Sequence, residues 1–455
     1  MTGHSINPHI FRAYDVRGVV DVDLTPELVF DLGRAVGSEI RAAGGDRAAV
    51  GRDCRTHSPR LSKSLIGGLA TTGVSVIDIG VAPTPLLYFA VHHHDLGGGI
   101  MITGSHNPPE YNGFKILVGR DALHSEAIQG LRRRIEAGDH AVGDGSVELA
   151  DALPVYLDHL VKAVRPASGP LRVVVDAGNG TAGPVAPAAY RLLGHTVEEL
   201  YCRMDGTFPH HHPDPSDPKN LEALAARVGQ VGADIGFAFD GDADRLGVVD
   251  AEGRIVAADR LLALLARAVL AERPGATIVS EVKCSQVMYD DIRAHGGKAI
   301  MGRVGHSYIK AGIKETNAAL AGELSGHLFF NDRWYGFDDA VYAGARVLEL
   351  LTTSGASLAE LLDDLPPTHA TPEIRLECPD ERKFAVVEAV RQHFAATHEV
   401  IDIDGARVIF EGGWGLVRAS NTQPALILRV EADSPQRLGE LRATVEQAVS
   451  TAMDA

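Results

Sequence analysis

The feature that most constrains this chain is a pattern that keeps returning. A short, continuous apolar run ends in a glycine-rich or charged turn, and a helical stretch comes next. It appears as RAAVGRD at 47–53, VSVIDIG at 74–80 and GGGIMI at 97–102. It returns as LRVVVDAGNGTAG at 171–183 and ADIGFAF at 233–239, then as ATIVSEV at 276–282, KAIMGRVGHS at 298–307 and AALAGELSGH at 318–327. Strands without polar alternation are covered on both faces. Alternating with helical patterns such as 26–43 and 58–72, they predict mainly parallel sheets layered with helices. Three loosely similar α/β units in tandem result, the first ending at the polar break GDHAVGDGS, 138–146. The C-terminal stretch reads differently. A helical pattern at 380–396 precedes EVIDI, an Asp404-Gly405 turn, RVIFE, WGLVRAS, ALILRVEA and a closing helix at 434–452. That is a short antiparallel meander with helices, an α+β unit. Pro366 and Pro367 mark the joint before it. The expected units are 1–150, 151–253, 254–370 and 371–455, the last poised to move as a lid.

Composition narrows the function. A chain of 455 residues can bury several cores, and its net charge of −17 argues against nucleic acid or an anionic membrane as partner. Any anionic substrate must therefore be held by a local cationic pocket. The four cysteines are widely spaced, without a CxxC pair, as in a reducing compartment. The segment MTGHSINPHIFRAYD lacks the apolar core of a signal peptide, and no apolar run is long enough to span a bilayer; a cytoplasmic location is expected.

Four strings carry chemistry. In TGSHNPP, 103–109, Ser105 follows a buried strand and precedes two prolines that forbid helix propagation. Open α/β sheets place ligand chemistry at such strand ends. A positioned serine can carry a phosphoryl group, although the same string can be a plain turn; His106 reads as structural. In DGDADR, 240–245, alternation in an extended loop would turn Asp240, Asp242 and Asp244 to one side, where three hard oxygens suit Mg²⁺. A solvated acidic turn is the alternative, but unscreened carboxylates between apolar strands repel one another. In GELSGH, 322–327, Glu323, Ser325 and His327 alternate and can face sugar hydroxyls together. RASNTQP, 418–424, offers Arg418, hydroxyls, an amide and free backbone N–H groups, the makings of a phosphate nest. Arg12, Arg17 and Lys115 are basic candidates for the first loop, and Arg245, Lys283, His306 and Lys310 for the others. The triplets His92–His94 and His210–His212 read as solvated loop imidazoles.

With these strings in hand, the chain resembles the α-D-phosphohexomutase superfamily, and most closely its bacterial phosphomannomutase/phosphoglucomutase branch. The matching strings, in order, are FRAYDVRGVV, TGSHNPPEYNGFKI, FPHHHPDPSDPKNL, DGDADR, VGHSYIK, GELSGHLFF and WGLVRASNTQPALILRVEA. The resemblance implies four domains around a central cleft, each giving one loop. It implies a phosphorylated Ser105 and a Mg²⁺ held by Asp240, Asp242, Asp244 and that phosphoserine. Tyr14, Lys283, Glu323, Ser325, His327, Arg418, Ser420, Asn421 and Thr422 would bind substrate, and Arg17, Lys115, Arg245 and His306 would surround the transferring phosphate. FPHHHPDP would be structural. Two departures stand out: Ala243 where the family usually has glycine, and Gln423 where many members have Glu or Thr.

The activity implied is reversible phosphoryl transfer between hexose 6-phosphate and hexose 1-phosphate, of mannose or glucose, through a hexose 1,6-bisphosphate that also serves as activator. The partner is a small phosphosugar, and the chain a monomer or weak homo-oligomer. Rivals are a phosphoglucosamine mutase, whose members usually carry Ser-Gly where this chain has Ser420-Asn421, a sugar phosphatase, and a non-catalytic sugar-phosphate-binding protein.

Overall fold

The computed structural model describes residues 6–421 and 423–454. Three sheets with one strand order account for most of them. Each is built on four strands, which in chain order are Arg47–Arg52, Ser75–Val81, Gly98–Ile102 and Tyr111–Val118 in the first unit. The second unit uses Arg172–Asp176, Thr196–Leu200, Ile235–Phe239 and Leu246–Asp250, and the third Thr277–Glu281, Lys298–Gly302, Leu320–Gly322 and Leu328–Phe330. In every unit the sheet order is fourth, third, first, second. The first three strands run parallel and the fourth is antiparallel to the third. Mainly parallel, mixed sheets with helices on their faces are thus as the apolar runs predict. The chain crosses from the second strand to the far side of the first, so a switch point opens between strands one and three. The turn that leaves the third strand stands at that point in all three units. Ser105, the Asp240–Asp244 string and the Glu323–His327 string are those three turns.

The C-terminal sheet is antiparallel throughout. Glu399–Ile401, Ala406–Phe410, Gly413–Ala419 and Ala425–Ala432 form the expected meander. Two further strands, His369–Ala370 and Ile374–Glu377, pair with Ala425–Ala432. Sequence reading missed both, because two- and four-residue strands beside prolines carry little periodic signal. The helices Asp380–Ala395 and Pro435–Asp454 cover one face around Val390, Leu428 and Val445.

One apolar core runs from the first unit through the second and third, including Phe89, Tyr156, Phe237, Leu262 and Trp334. The histidine triplet near 92 therefore is not a solvated loop. It ends the helix Thr84–His93, where His92 packs on Tyr335 and Phe337 and His93 stacks on Phe89. Burial lowers the His92 pKa to about 4. The C-terminal unit meets the third through a smaller seam of Val282, Trp414 and Leu416. There the buried Arg407 donates to the carbonyls of Val282 (2.6 Å) and Cys284 (2.8 Å) and lies 3.8 Å over the Trp414 ring. Glu431 accepts from Ser285, Gln286 and Trp414. Among the described residues no helix is long and apolar enough to cross a membrane.

Candidate functional site

Ser105 lies in a left-handed turn, φ 47°, and is buried. For a non-glycine residue that conformation costs roughly 1–2 kcal/mol. The loop is held from several sides: Thr103 Oγ1 accepts the Ser105 N–H (2.8 Å) and Asp53 accepts the Gly104 N–H (3.0 Å). The strain aims the hydroxyl across the unit boundary, where Ser105 Oγ donates to Asp240 Oδ2 at 2.7 Å. His106 Nδ1 stands 3.0 Å from the same oxygen. His106, read as structural, thus faces the candidate serine and does not point away from it. Burial, with Arg245 and Arg17 nearby, pushes the His106 pKa below the usual imidazole value.

The 240–245 string is not the extended loop that its alternation predicts. It is a tight turn between antiparallel strands, with Ala243 at φ 60°. Asp240 Oδ1 closes it by accepting the N–H groups of Asp244 (3.1 Å) and Arg245 (3.2 Å). The three carboxylates converge nonetheless, with ligand oxygens within 4.8 Å of one another and all fully buried. The left-handed Ala243 also explains why glycine suits that position.

Three observations fit this triad to a divalent cation. Asp242 Oδ1 and Asp244 Oδ1 are buried without a hydrogen-bond partner. The Lys115 ammonium sits 2.6 Å from Asp242 Oδ2 and also bonds Asp244 Oδ2, standing in for positive charge. Burial and the charges of Asp242 and Asp244 raise the Asp240 pKa, a repulsion that a cation bound among the three would offset. Asp242 is instead held low; burial opposes this, but the Lys115 ammonium outweighs it. Thr84 Oγ1 also donates to Asp242.

The 322–327 string is likewise a hairpin turn. Gly326, φ 95°, donates to the Glu323 carbonyl (3.0 Å), and Glu323 N–H donates to the His327 carbonyl (2.9 Å). Glu323 accepts the Gly305 N–H at 2.7 Å. His327 Nε2 accepts from Arg245 Nε (3.0 Å), while Nδ1 approaches Asp338 (3.1 Å) and Asp244 (3.7 Å). Ser325 is half-buried. His306 lies in the same cluster, stacked on His327 and edge-on to Tyr14. Burial, then the Lys310 charge, lowers its pKa. Lys310, a basic candidate for these loops, is paired with the buried Asp338 at 2.8 Å.

The remaining candidates extend the cluster. Arg17 bonds Asn107 and Asp15 beside the serine turn. Lys283 pairs with Glu373 of the C-terminal unit at 2.8 Å. Arg418 is held by Asp404 (3.0 Å), whose carboxylate also accepts the Val304 N–H (3.0 Å). Asn421 Nδ2 donates to the Val304 carbonyl at 3.4 Å. Ser420 gives its carbonyl to Lys383 and its hydroxyl oxygen to the Gln423 N–H. Thr422 lies outside the described residues. A chain of contacts thus runs from Ser105 through Asp240, Arg245, His327 and His306 to the 302–305 loop and the C-terminal turn. Among the described residues no hydrogen bond or ion pair joins the Arg12 side chain to the cluster, and the His210–His212 string serves the second unit: His211 Nε2 bonds Asp176 at 3.0 Å and His210 Nδ1 bonds Asn179 at 2.7 Å. Sequence reasoning missed Asp53, Arg55, Thr84, Asp338 and Asp404, each of which reaches at least one partner on another strand or turn.

Comparison with known proteins agrees with this geometry. Four family descriptions match in order: phosphoglucomutase/phosphomannomutase alpha/beta/alpha domain I over residues 8–141, domain II over 154–253, domain III over 257–369 and the C-terminal domain over 373–448. A phosphomannomutase/phosphoglucomutase of Pseudomonas aeruginosa is 48% identical over 434 residues, covering 95% of this chain and 94% of its own. A phosphoglucomutase of Neisseria gonorrhoeae is 47% identical, with 94% of each chain covered. A crystal structure of a phosphoglucomutase/phosphomannomutase family protein from Burkholderia thailandensis superposes with a TM-score of 0.93 at 43% identity, covering 98% of both chains. Family matches over all four units, in order, and relatives 47–48% identical over nearly the whole chain make this chain a member of the phosphoglucomutase/phosphomannomutase family of α-D-phosphohexomutases.

Proposed function

We propose that the protein interconverts hexose 6-phosphates and hexose 1-phosphates of glucose and mannose, with Ser105 as phosphoryl carrier. The observation that carries this is the buried Ser105 hydroxyl, held in a left-handed turn and donating to Asp240, the first carboxylate of the triad that Lys115 bonds, while Arg17 bonds Asn107 of the same turn. In the working cycle Ser105 is phosphorylated. The Oγ–P bond breaks as the free sugar hydroxyl bonds to phosphorus; that hydroxyl loses its proton and the departing Ser105 oxygen gains one, leaving free serine and a hexose 1,6-bisphosphate. That intermediate turns end over end, and its other phosphate returns to Ser105. Asp240, Asp242, Asp244 and the serine oxygen would hold Mg²⁺, which when bound offsets negative charge on the transferring group. Lys115, Arg245, Arg17 and His306 supply fixed donors for the same charge, and positioning does most of the remaining work. Tyr14, Glu323, Ser325 and His327 contact the sugar. Arg418, with Ser420, Asn421, Thr422 and Lys283, grips the phosphate that is not reacting. The C-terminal unit closes as a lid through the Val304–Asn421 and Val304–Asp404 contacts, holding the bisphosphate while it turns. The enzyme works in the cytoplasm.

The test is Ser105→Ala together with coupled assays on glucose, mannose and glucosamine 1-phosphates. The wild-type protein should carry one phosphate on the 103–116 segment by peptide mass analysis, and the variant should carry none and be inactive. Steady release of inorganic phosphate in place of isomer would make the protein a phosphatase, and activity confined to glucosamine 1-phosphate would move it to the amino-sugar class.

A further inference from the structure

The first and third units carry the same short string after their first strand: an acid, any residue, then a base. These are Asp53-Cys54-Arg55 and Glu281-Val282-Lys283. In both, the acid closes a turn on the N–H two residues on, Arg55 N to Asp53 (3.1 Å) and Lys283 N to Glu281 (2.6 Å). In both, its second oxygen crosses to the turn between the third and fourth strands. Gly104 N–H lies 3.0 Å from Asp53 Oδ2, and Leu324 N–H lies 3.2 Å from Glu281 Oε1. The second unit has half of this device. Gly178 N–H bonds Asp176 Oδ1 at 2.8 Å, but glycine stands where the base would be and His211 takes the free carboxylate oxygen.

In the first unit the base extends the hold. The Arg55 guanidinium is 1% exposed. It donates to four carbonyls in and just beyond the serine turn: Ser105 (2.9 Å), Asn107 (2.6 Å), Pro108 (2.7 Å) and Tyr111 (3.2 Å). Its Nε lies 3.2 Å from Asp53, and Phe208 packs 5.0 Å from its centre. A Cβ on Gly104 would come within 2.5 Å of Arg55 Nε, so Gly104 leaves the room that lets the guanidinium reach under the turn. Only a planar fork with five donors can collect carbonyls in this way; an ammonium cannot.

We infer that Asp53 and Arg55 are positioning residues that hold the Ser105 turn in its left-handed conformation, and that Glu281 is their counterpart for the 323–327 turn. This rests on Ser105 being the phosphoryl carrier. Arg55 is sealed from the substrate, so its role is to place the Ser105 oxygen. The third-unit acid places a turn that binds sugar. The two copies should therefore fail differently.

The experiment compares Arg55→Lys, Asp53→Asn and Glu281→Gln, each checked for folding by circular dichroism, with glucose 1-phosphate as substrate and glucose 1,6-bisphosphate as activator. Arg55→Lys keeps charge and loses the fork. Displacing the nucleophile should lower kcat about 10²-fold with KM within about twofold, and slow phosphorylation of Ser105 by the bisphosphate in parallel. Glu281→Gln should raise KM with less effect on kcat. If Arg55→Lys does not fold, Asp53→Asn carries the same expectation. Folded first-unit variants with wild-type kcat, or with KM and kcat moving as they do in Glu281→Gln, overturn the inference. An active Ser105→Ala would instead overturn the carrier assignment.

Discussion

Lys115 lies where the divalent ion would draw on the same charges, and that makes Lys115→Met an informative perturbation. The ammonium is 4% exposed and bonded to two of three carboxylates whose ligand oxygens lie within 4.8 Å of one another. At the effective dielectric of a protein interior, unit charges 4 Å apart interact by about 4 kcal/mol, so the lysine offsets much of the repulsion within the triad. Methionine keeps the length and packing and removes the charge. Leaving buried carboxylates without their partner should destabilise the metal-free protein by about 3 kcal/mol, the low end for breaking a buried pair. Mg²⁺ then enters a site with no competing cation and recovers that energy on binding. Every 1.4 kcal/mol is tenfold in affinity, so the variant should bind Mg²⁺ about 10²-fold more tightly than the wild type. Titration calorimetry after chelator treatment measures this directly, and scanning fluorimetry should show a larger Mg²⁺-induced rise in melting temperature for the variant. Turnover should still fall if Lys115 also donates to the transferring phosphate, as proposed. Equal Mg²⁺ affinity in the two proteins would refute the reasoning, since the lysine and the ion would then not compete for the same charge.

Other outcomes are expected on the same grounds. Arg418→Ala should raise KM about tenfold or more for both the 1-phosphate and the 6-phosphate, since one charge-assisted contact of about 1.5–3 kcal/mol serves both orientations; a rise for one substrate alone would mean separate phosphate sites. Asn421→Ala should release more 1,6-bisphosphate per turnover, measured by trapping it with labelled substrate, whereas unchanged release would argue against lid closure. His211 faces burial, which lowers its pKa, and Asp176, which raises it further, so the net shift is upward. Its stabilising contribution is full below the unfolded value near 6.5 and fades as pH rises through the higher folded value. Thermal stability should accordingly fall on the alkaline side of pH 6.5 in the wild type and less so in His211→Gln; identical pH profiles would sink the idea. Ala243→Gly relieves a left-handed conformation worth roughly 1–2 kcal/mol, but loses a buried methyl of about 0.8 kcal/mol and adds unfolded-chain freedom. The variant should stay active, with stability within about 1 kcal/mol of the wild type, and a clear loss of Mg²⁺ binding would show that the methyl shapes the triad.

The strands and helices were legible in the sequence because their signals are local. GGGIMI, RVVVD and IGFAF are apolar without alternation, so each had to be buried on both faces, and the stretches between them fixed a parallel sheet. Ser105, Asp240, Asp242 and Asp244 were legible as candidates because they end such runs, and the structure brings them together. Backbone conformation within those turns was not. Alternation suggested an extended 240–245 loop, whereas Ala243 at φ 60° makes it a hairpin turn that still brings the carboxylates together. His106 faces the serine oxygen only because Ser105 itself turns left-handed. What tertiary structure alone decided is which remote charges meet. Asp338 reaches Lys310 and His327, Arg55 reaches the carbonyls after Ser105, and Asp404 reaches Arg418 and Val304. None of these pairings leaves a short-range pattern. Each forms because packing the units brings strand ends together in a buried space, where a charge without a partner is too costly to keep.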